Sequence, residues 1–109
     1  MSVENTFEQL TMKMNQDPSH LDGLSYVYQF DLSGSDEGKY QLKVENNQAE
    51  FKLGEPWEPR LTLAMSDKNF IKLANDDLNP TMAYMSGKLK VQGDLGHALK
   101  LQALIKKYQ

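Results

Sequence analysis

Apolar residues recur at two different spacings along this 109-residue chain, and the change of spacing separates helices from strands. Near the N-terminus they repeat every three or four positions, which predicts an amphipathic helix over residues 2–15. Ser2 is a suitable N-cap for this helix, because its hydroxyl can accept a hydrogen bond from a backbone amide of the first turn. The apolar positions of the helix are Val3, Phe7, Leu10 and Met14.

From Leu24 onward the apolar residues alternate with polar ones, which is the period of a half-buried strand. Turn residues at 34–38 and 46–47 divide the alternating stretch into three segments, so we expect a three-stranded meander. The polar positions, Gln29 and Gln41 among them, are expected on the opposite face. The apolar positions are Leu24, Tyr26, Tyr28, Phe30 and Leu32, then Tyr40, Leu42 and Val44, then Ala49, Phe51 and Leu53.

The second half of the chain begins with a segment that cannot lie inside a sheet. Residues 54–59 contain two prolines, which lack the amide that a central strand donates. We expect this segment to connect the meander to a fourth strand at residues 61–65, where apolar and polar residues alternate again. Ser66 then suits the N-cap of a short helix.

Three further elements complete the order. Asn79-Pro80 predicts the start of another short helix, since proline is favoured at the first helical position, and Gly87 predicts its end. Residues 88–92 alternate as a short strand, and a last helix follows Asp94. At this length we expect one domain over residues 1–109. The predicted order is α-β-β-β-β-α-α-β-α, an α+β fold.

The last helix is apolar around most of its circumference. At ~100° per residue its apolar side chains cover roughly 260°, whereas a surface helix needs a stripe little wider than ~100°. Either the helix is wedged between neighbours or lies in a dimer interface, or it forms a wall or lid over an apolar cavity. The apolar positions are Leu95, Ala98, Leu99, Leu101, Ala103, Leu104, Ile105 and Tyr108.

Six methionines are many for a chain of this length. Met65, Met82 and Met85 are close in sequence to Phe70 and the last helix. Methionine often fills cores, but its flexible side chain also suits a surface that adapts to apolar partners of different shapes.

Composition and charge exclude several classes of protein. The chain has no cysteine, which rules out disulfide scaffolds and thiolate metal sites. It has no apolar run of membrane-spanning length and no secretory signal at its start, so a cytoplasmic protein is expected. Residues 87–109 carry five lysines and one acidic residue, too few cations for a nucleic-acid interface. Those lysines could complement a helix dipole or attract the domain weakly to anionic membranes.

Catalytic and metal-binding patterns are missing from the sequence. His20 and His97 lack a second ligand at metal-binding spacing, and Asp76-Asp77 is not an acid-base pair because adjacent helical residues point in different directions. No nucleophile elbow or phosphate-binding glycine loop occurs. We therefore expect no enzyme activity, no cofactor and no metal.

The amino-acid sequence of residues 61–104 resembles the sterol carrier protein 2 family, also called non-specific lipid-transfer proteins. In the first half, only the element order and the strand from Tyr26 to Leu32 with its Asp31 agree with that family. In the second half, the resemblance rests on the strand from Leu61 into Met65-Ser66-Asp67 and Phe70, on Leu78-Asn79-Pro80 with Ala83-Tyr84-Met85, on Gly87-Lys88-Leu89-Lys90-Val91-Gln92-Gly93-Asp94-Leu95, and on Ala98-Leu99-Lys100-Leu101.

The resemblance implies a five-stranded, mainly antiparallel sheet covered by helices. It also implies an apolar tunnel for fatty acyl chains, acyl-CoA, phospholipid or sterol, without catalysis. The chain lacks the peroxisomal Ser-Lys-Leu ending, which keeps the cytoplasm as the expected location. By matching positions, the ligand-binding residues would be Phe70, Leu73, Met82, Met85, Leu99 and Leu104.

The sequence thus predicts a domain that binds and carries an apolar lipid in an internal cavity. Two alternatives stay open. One is a structural or dimerisation module whose apolar C-terminal helix packs on a partner chain, so an oligomer is possible. The other is a thioesterase-like enzyme, which would need a placed acid or base.

Overall fold

The computed structural model describes residues 2–109. Its elements follow the predicted order, with one additional 3-10 turn after the first helix at Pro18–Leu21. The helices are α1 Val3–Gln16, α2 Asp67–Ala74, α3 Pro80–Met85 and α4 Leu95–Lys106. The strands are β1 Tyr26–Ser33, β2 Gly38–Glu45, β3 Gln48–Leu53, β4 Leu61–Ser66 and β5 Lys90–Gln92.

The five strands form one mixed sheet in the order β3-β2-β1-β4-β5. Strands β1, β2 and β3 are the expected antiparallel meander. The chain then crosses to the other side of β1, where β4 pairs in parallel and places Leu63 opposite Phe30. Strand β5 closes that edge in antiparallel pairing with β4. The mainly antiparallel five-stranded sheet is therefore confirmed, with one parallel pair at its centre.

Side-chain caps set the start of each helix. The Ser2 hydroxyl accepts from the Asn5 amide at 3.0 Å, and the Ser66 hydroxyl accepts from the Asn69 amide at 3.1 Å. Such caps satisfy amides that have no partner inside the helix. The caps of α3 and α4 are Asn79 and Asp94.

A two-residue turn fixes the hairpin between β2 and β3. Asn46 and Asn47 both adopt left-handed backbone conformations, with φ of +53° and +59°. Two successive residues of this kind match the twist of antiparallel strands, and asparagine tolerates them better than most residues. The resulting register places Glu45 opposite Gln48.

Two strands begin later than the alternation predicts. The Leu24 amide donates to the Leu21 carbonyl at 3.0 Å, so this residue belongs to the preceding turn. The amides of Lys88 and Leu89 both donate to the Ala83 carbonyl, at 2.8 and 3.1 Å. These residues complete the end of α3 and join no strand, which leaves β5 with three residues.

The apolar core lies between one face of the sheet and the helices. Phe7 of α1 is central, with ring centroids 4.5 Å from Phe70 and 5.3 to 5.5 Å from Phe51, Phe30 and Tyr40. These rings come from two helices and three strands, so a single aromatic cluster joins both layers. Contacts at these distances add about 0.5–1.5 kcal/mol per pair to the burial of the rings.

The opposite face of the sheet is partly covered by the connector between β3 and β4. Gln29 and Gln41 lie on this face, opposite the apolar positions of their strands, yet both are buried. The Gln41 amide donates to Gln29 Oε1 and to the Trp57 carbonyl at 2.9 Å each, and Gln41 Oε1 accepts from the Trp57 amide at 2.9 Å. The proline-rich segment therefore folds back onto the sheet through these bonds.

Helix α4 is wedged between other elements and has most of its apolar surface covered. It buries Ala98, Leu101, Leu104 and Ile105. Beyond it, the Tyr108 hydroxyl donates to the Asp17 carbonyl at 2.7 Å, which ties the C-terminal turn to the end of α1. Most of the broad apolar arc is thus covered by packing within the chain, as expected for a helix wedged between its neighbours.

Candidate functional site

The six sequence-predicted ligand-binding residues divide into a buried set and an exposed set. Phe70, Leu73 and Leu104 belong to the core, with 8% or less of their surface exposed. Phe70 stacks on Phe7 and meets Phe30 edge-to-face at 5.1 Å. The buried set therefore faces the layer between sheet and helices, where an internal ligand would lie.

The exposed set lies on α3 and α4. Met82 is 69% exposed, Met85 79% and Leu99 39%. A six-residue helix turns fewer than two full times, so it can present only one narrow face to the core. In α3 that face is made by Pro80 and Ala83, which leaves both methionines and Tyr84 in solvent.

Helix α3 is held by few contacts. Its start is defined by the Asn79 cap and proline at the first position, and its end by Gly87 with a φ of +81°. It packs mainly against α4. Because α3 buries little and displays long apolar side chains, it is the helix whose displacement would disturb the core least.

The layer between sheet and helices is filled by side chains. Phe7, Phe30, Phe70, Leu42 and Leu101 are among its fully buried members. The expected apolar tunnel is therefore not open in the part of the chain that the structure describes. Leu104 lines a shallow cleft of about 310 Å³ beside Leu24 and Lys100.

A second cleft, of about 410 Å³, lies at the carboxyl ends of the parallel strands β1 and β4; we call it the β1–β4 groove. Asp31, Ala64 and Lys90 line it from the sheet face opposite the core, and Leu32 and Met65 border it although they belong to the core. Lys88 and Lys90 lie at its rim. The sequence analysis missed this groove, because the parallel pairing that brings the two strand ends together has no local sequence signal.

Electrostatic shifts near the core follow from burial and hydrogen bonding. Burial raises the pKa of the Tyr28 hydroxyl to about 12, so this side chain stays neutral at physiological pH. The amide of Asp36 donates to the Asp67 carboxylate at 2.9 Å and holds the pKa of Asp67 below its usual value. The side-chain amide of Gln29 lowers the pKa of Glu55 in the same way.

The pKa shifts of Asp67 and Glu55 come from hydrogen bonds that hold elements of the fold together. Within residues 2–109, no three histidine, aspartate or glutamate side chains converge in a geometry that could hold a metal ion. No helix in the described part of the chain is long and apolar enough to cross a bilayer. The chemistry that the arrangement supports is burial of apolar groups.

The model of the SCP-2 sterol transfer family matches residues 5–106. The chain belongs to this family. The sequence resemblance is thereby confirmed, and it extends over the first half of the chain as well as residues 61–104.

Solved structures of other sterol carrier proteins share the fold. The sterol carrier protein domain 2 of Helicoverpa armigera superposes with a TM-score of 0.77 at 25% identity, covering 94% of this chain and 84% of that one. Palmitated sterol carrier protein 2-like 2 of Aedes aegypti gives a TM-score of 0.73 at 20% identity, covering 96% and 95%.

Curated relatives of the sequence are much longer proteins. Hydroxysteroid dehydrogenase-like protein 2 of Xenopus laevis is 35% identical over 104 residues, which are 94% of this chain and 24% of that protein. The Bos taurus protein of the same name is 36% identical over 105 residues, 95% of this chain and 25% of that protein. The chain thus spans about a quarter of the length of these relatives.

Proposed function

We propose that this sterol carrier domain binds one long-chain lipid between its sheet and its helices and carries it without catalysis. The observation that carries the proposal is the aromatic and aliphatic layer on one sheet face, bordered by a short helix with two exposed methionines. Palmitate occupies two Aedes aegypti proteins of the same fold, which supports a fatty acyl ligand. Acyl-CoA, phospholipid and sterol are the other candidates.

The filled core is compatible with such a ligand. An empty apolar pocket of ~300 Å³, at the small end of ligand sites, would cost about 7 kcal/mol at ~24 cal/mol per Å³. That cost rivals the ~5–15 kcal/mol by which a whole domain is stable. Without lipid, side chains should therefore occupy the space, and lipid binding should displace them.

Helix α3 is the proposed route of uptake. Displacing it would expose two of its own buried residues, Pro80 and Ala83, whereas displacing α4 would expose four of its own. Met82 and Met85 would then contact the acyl chain as it passes, and Leu99 borders α3 on the helix against which it packs. Phe70, Leu73 and Leu104 would contact the chain once it is inside.

The remaining expectations belong to the same proposal. The lysines of residues 87–109 would favour weak contact with an anionic membrane during transfer. We expect a cytoplasmic location and no contact with nucleic acid. The alternative of a dimerisation module loses its main argument, because α4 buries most of its apolar surface within the chain and leaves mainly Leu99 exposed.

Native mass spectrometry before and after organic extraction tests lipid binding. We expect about one lipid per chain in the extracted material, or saturable binding of palmitate by the extracted protein after refolding. Failure to find either co-purified lipid or saturable binding of palmitate, palmitoyl-CoA or cholesterol would overturn the proposal.

A further inference from the structure

Strand β3 forms one edge of the sheet along six residues. The other edge is β5, which has only three residues and is a poor template for a further strand. Just after β3, the Gly54 amide donates to the Lys39 carbonyl of β2 at 2.7 Å, so the even-numbered positions of β3 bond to β2. Because bonding alternates along an antiparallel strand, the backbone groups of Ala49, Phe51 and Leu53 point away from β2.

A side chain of α1 occupies part of this edge. Asn15 Nδ2 donates to the Ala49 carbonyl at 2.9 Å, and Asn15 Oδ1 accepts from the Ala49 amide at 2.8 Å. A residue of a neighbouring antiparallel strand would exchange this same pair of bonds with Ala49. The Asn15 side chain therefore stands in for a further strand at one position. Within residues 2–109, the outward amides of Phe51 and Leu53 have no such partner.

The unpaired part of the edge is accessible to another chain. Leu53 is 58% exposed, and Phe51 is half-buried with its ring packed on Phe7. An open strand edge that displays an exposed apolar side chain is a template for the addition of a further strand. Asn15 is itself an exposed residue, so its side chain can leave Ala49 without disturbing the core.

The charges of β3 fit a second copy of the same strand. Antiparallel pairing about a two-fold axis at Phe51 places Glu50 of each copy opposite Lys52 of the other. The same register pairs Ala49 with Leu53 of the second copy through their outward backbone groups. Sliding one strand by two residues would instead place Glu50 opposite Glu50 or Lys52 opposite Lys52, which is unfavourable. The charges therefore select one register.

We propose that β3 pairs with β3 of a second copy to form a two-fold dimer, and that Asn15 limits this pairing by occupying Ala49. When the dimer forms, Asn15 releases Ala49, whose backbone groups then bond to Leu53 of the second copy. The sheet becomes continuous across the two copies. This surface is separate from α4 and from the layer between sheet and helices, so the inference goes beyond the proposed lipid-binding function and does not depend on it.

Analytical ultracentrifugation of Asn15→Ala tests the role of this side chain. We expect the variant to dimerise with a dissociation constant at least tenfold below that of wild type, because two bonds to Ala49 no longer oppose pairing. The control is Gln16→Ala, which removes the neighbouring exposed amide side chain of α1 and should resemble wild type. An Asn15→Ala protein that stays monomeric would overturn the proposal and leave the edge to an extended segment of another protein. Species larger than a dimer would also overturn it, since two-fold pairing closes on itself.

Two charge reversals in the Asn15→Ala background test the register. Lys52→Glu leaves only acidic side chains at the paired positions, and Glu50→Lys leaves only basic ones. Each protein alone should dimerise at least tenfold more weakly than Asn15→Ala, because like charges then face each other. A one-to-one mixture of the two should restore the dimer, which mixing could not do for variants that had merely lost their fold. Undiminished dimerisation of either variant alone, or no recovery on mixing, would overturn the proposal.

Amide hydrogen exchange of Asn15→Ala locates the interface without a charge variant. When the protein concentration is raised from the monomer to the dimer range, exchange at Ala49, Phe51 and Leu53 should slow at least tenfold. The amides of Glu50 and Lys52 already bond to β2 and should change little. Slower exchange confined to another surface, such as α4, would overturn the proposal even if a dimer forms.

Discussion

The buried glutamines show how a single polar side chain can hold a long connector in place. Gln41 is fully buried, yet its amide and carbonyl bond to Gln29 and to both backbone groups of Trp57. A buried amide of this kind is stable only when its bonds are made. Above it, the Lys43 ammonium lies 4.5 Å from the centre of the Trp57 ring, which adds a cation–π contact to the same segment.

Replacing Gln41 with leucine should destabilise the protein by about 1–3 kcal/mol, because the buried Gln29 Oε1 and the partly buried Trp57 amide both lose their hydrogen-bond partner. Urea unfolding at neutral pH measures the change. Gln48→Leu on the exposed start of β3 is the matched control and should change stability by less than about 0.5 kcal/mol. Equal effects of the two variants would mean that the connector is not held by Gln41.

At the scale of elements, a chain of carboxylate bonds joins α1, the β1–β2 turn and α2. The Val3 amide donates to the Asp36 carboxylate at 2.8 Å, and the Asp36 amide donates to Asp67 Oδ2 at 2.9 Å. Gly34, with a φ of +112°, lies so close to the Asp67 carboxylate that a side chain there would collide with it. The turn between β1 and β2 thus positions the starts of two helices.

This arrangement predicts a contribution of Asp67 to acid sensitivity. Its pKa in the folded protein is lowered from 3.8, chiefly by the hydrogen bond from the Asp36 amide. The stabilisation is therefore fully present above the unfolded pKa of 3.8 and is lost as pH falls through the lower folded pKa. Asp67→Asn should lower the free energy of unfolding at pH 7. The difference in this free energy between the variant and wild type should be smaller at pH 3.

Urea midpoints between pH 7 and pH 3 check this prediction. The matched control is Asp22→Asn, at an exposed carboxylate in the loop before β1. The urea midpoint of this control should change with pH in the same way as that of wild type between pH 7 and pH 3. A constant gap between Asp67→Asn and wild type at all pH values would show that the carboxylate charge is irrelevant.

The exposure of α3 leads to a kinetic prediction for the proposed function. Met82→Glu, Met85→Glu should slow the uptake of a fluorescent fatty acid at least tenfold, since a charge on the uptake route is costly beside an alkyl chain. The thermal unfolding temperature should stay near that of wild type, because both side chains are mostly solvated. Stopped-flow fluorescence measures the rate.

The control for α3 is Met12→Glu, at a methionine of α1 that is 54% exposed. It should take up the fatty acid at the wild-type rate. A loss of cooperative unfolding in the α3 variant would assign its methionines to the folding core, and equal uptake rates in all three proteins would place the route elsewhere.

Local signals explain how much of these elements the sequence could predict. The caps at Ser2 and Ser66, the start of α3 at Pro80 and the turn at residues 46–47 depend on neighbours within four residues, and these predictions are confirmed. The burial of Gln41 and the β1–β4 groove depend on residues far apart in sequence, which no local pattern reports. The ligand-binding role of the six chosen residues stays a prediction: a core position and a lipid contact share the same apolar pattern.

At the scale of the whole molecule, the fold is closed by contacts between distant parts of the chain. The parallel pairing of β1 with β4 joins the meander to the second half of the chain. At the other end, Gln109 donates from Nε2 to the Ala74 carbonyl at 2.8 Å, and Tyr108 is buried against the turn after α1. The C-terminal turn therefore connects α4 with both α1 and α2.

Tyr108→Phe isolates the closing hydrogen bond from the burial of the ring. The variant keeps the ring but leaves the Asp17 carbonyl without this donor, so it should lose about 0.5–1.5 kcal/mol of unfolding free energy. Tyr84→Phe, at an exposed tyrosine on α3, is the matched control and should be neutral. Chemical denaturation of both variants measures the difference. If the two variants are equally stable, the hydrogen bond from Tyr108 to Asp17 does not hold the C-terminal turn against the end of α1, and burial of the ring at position 108 does so instead.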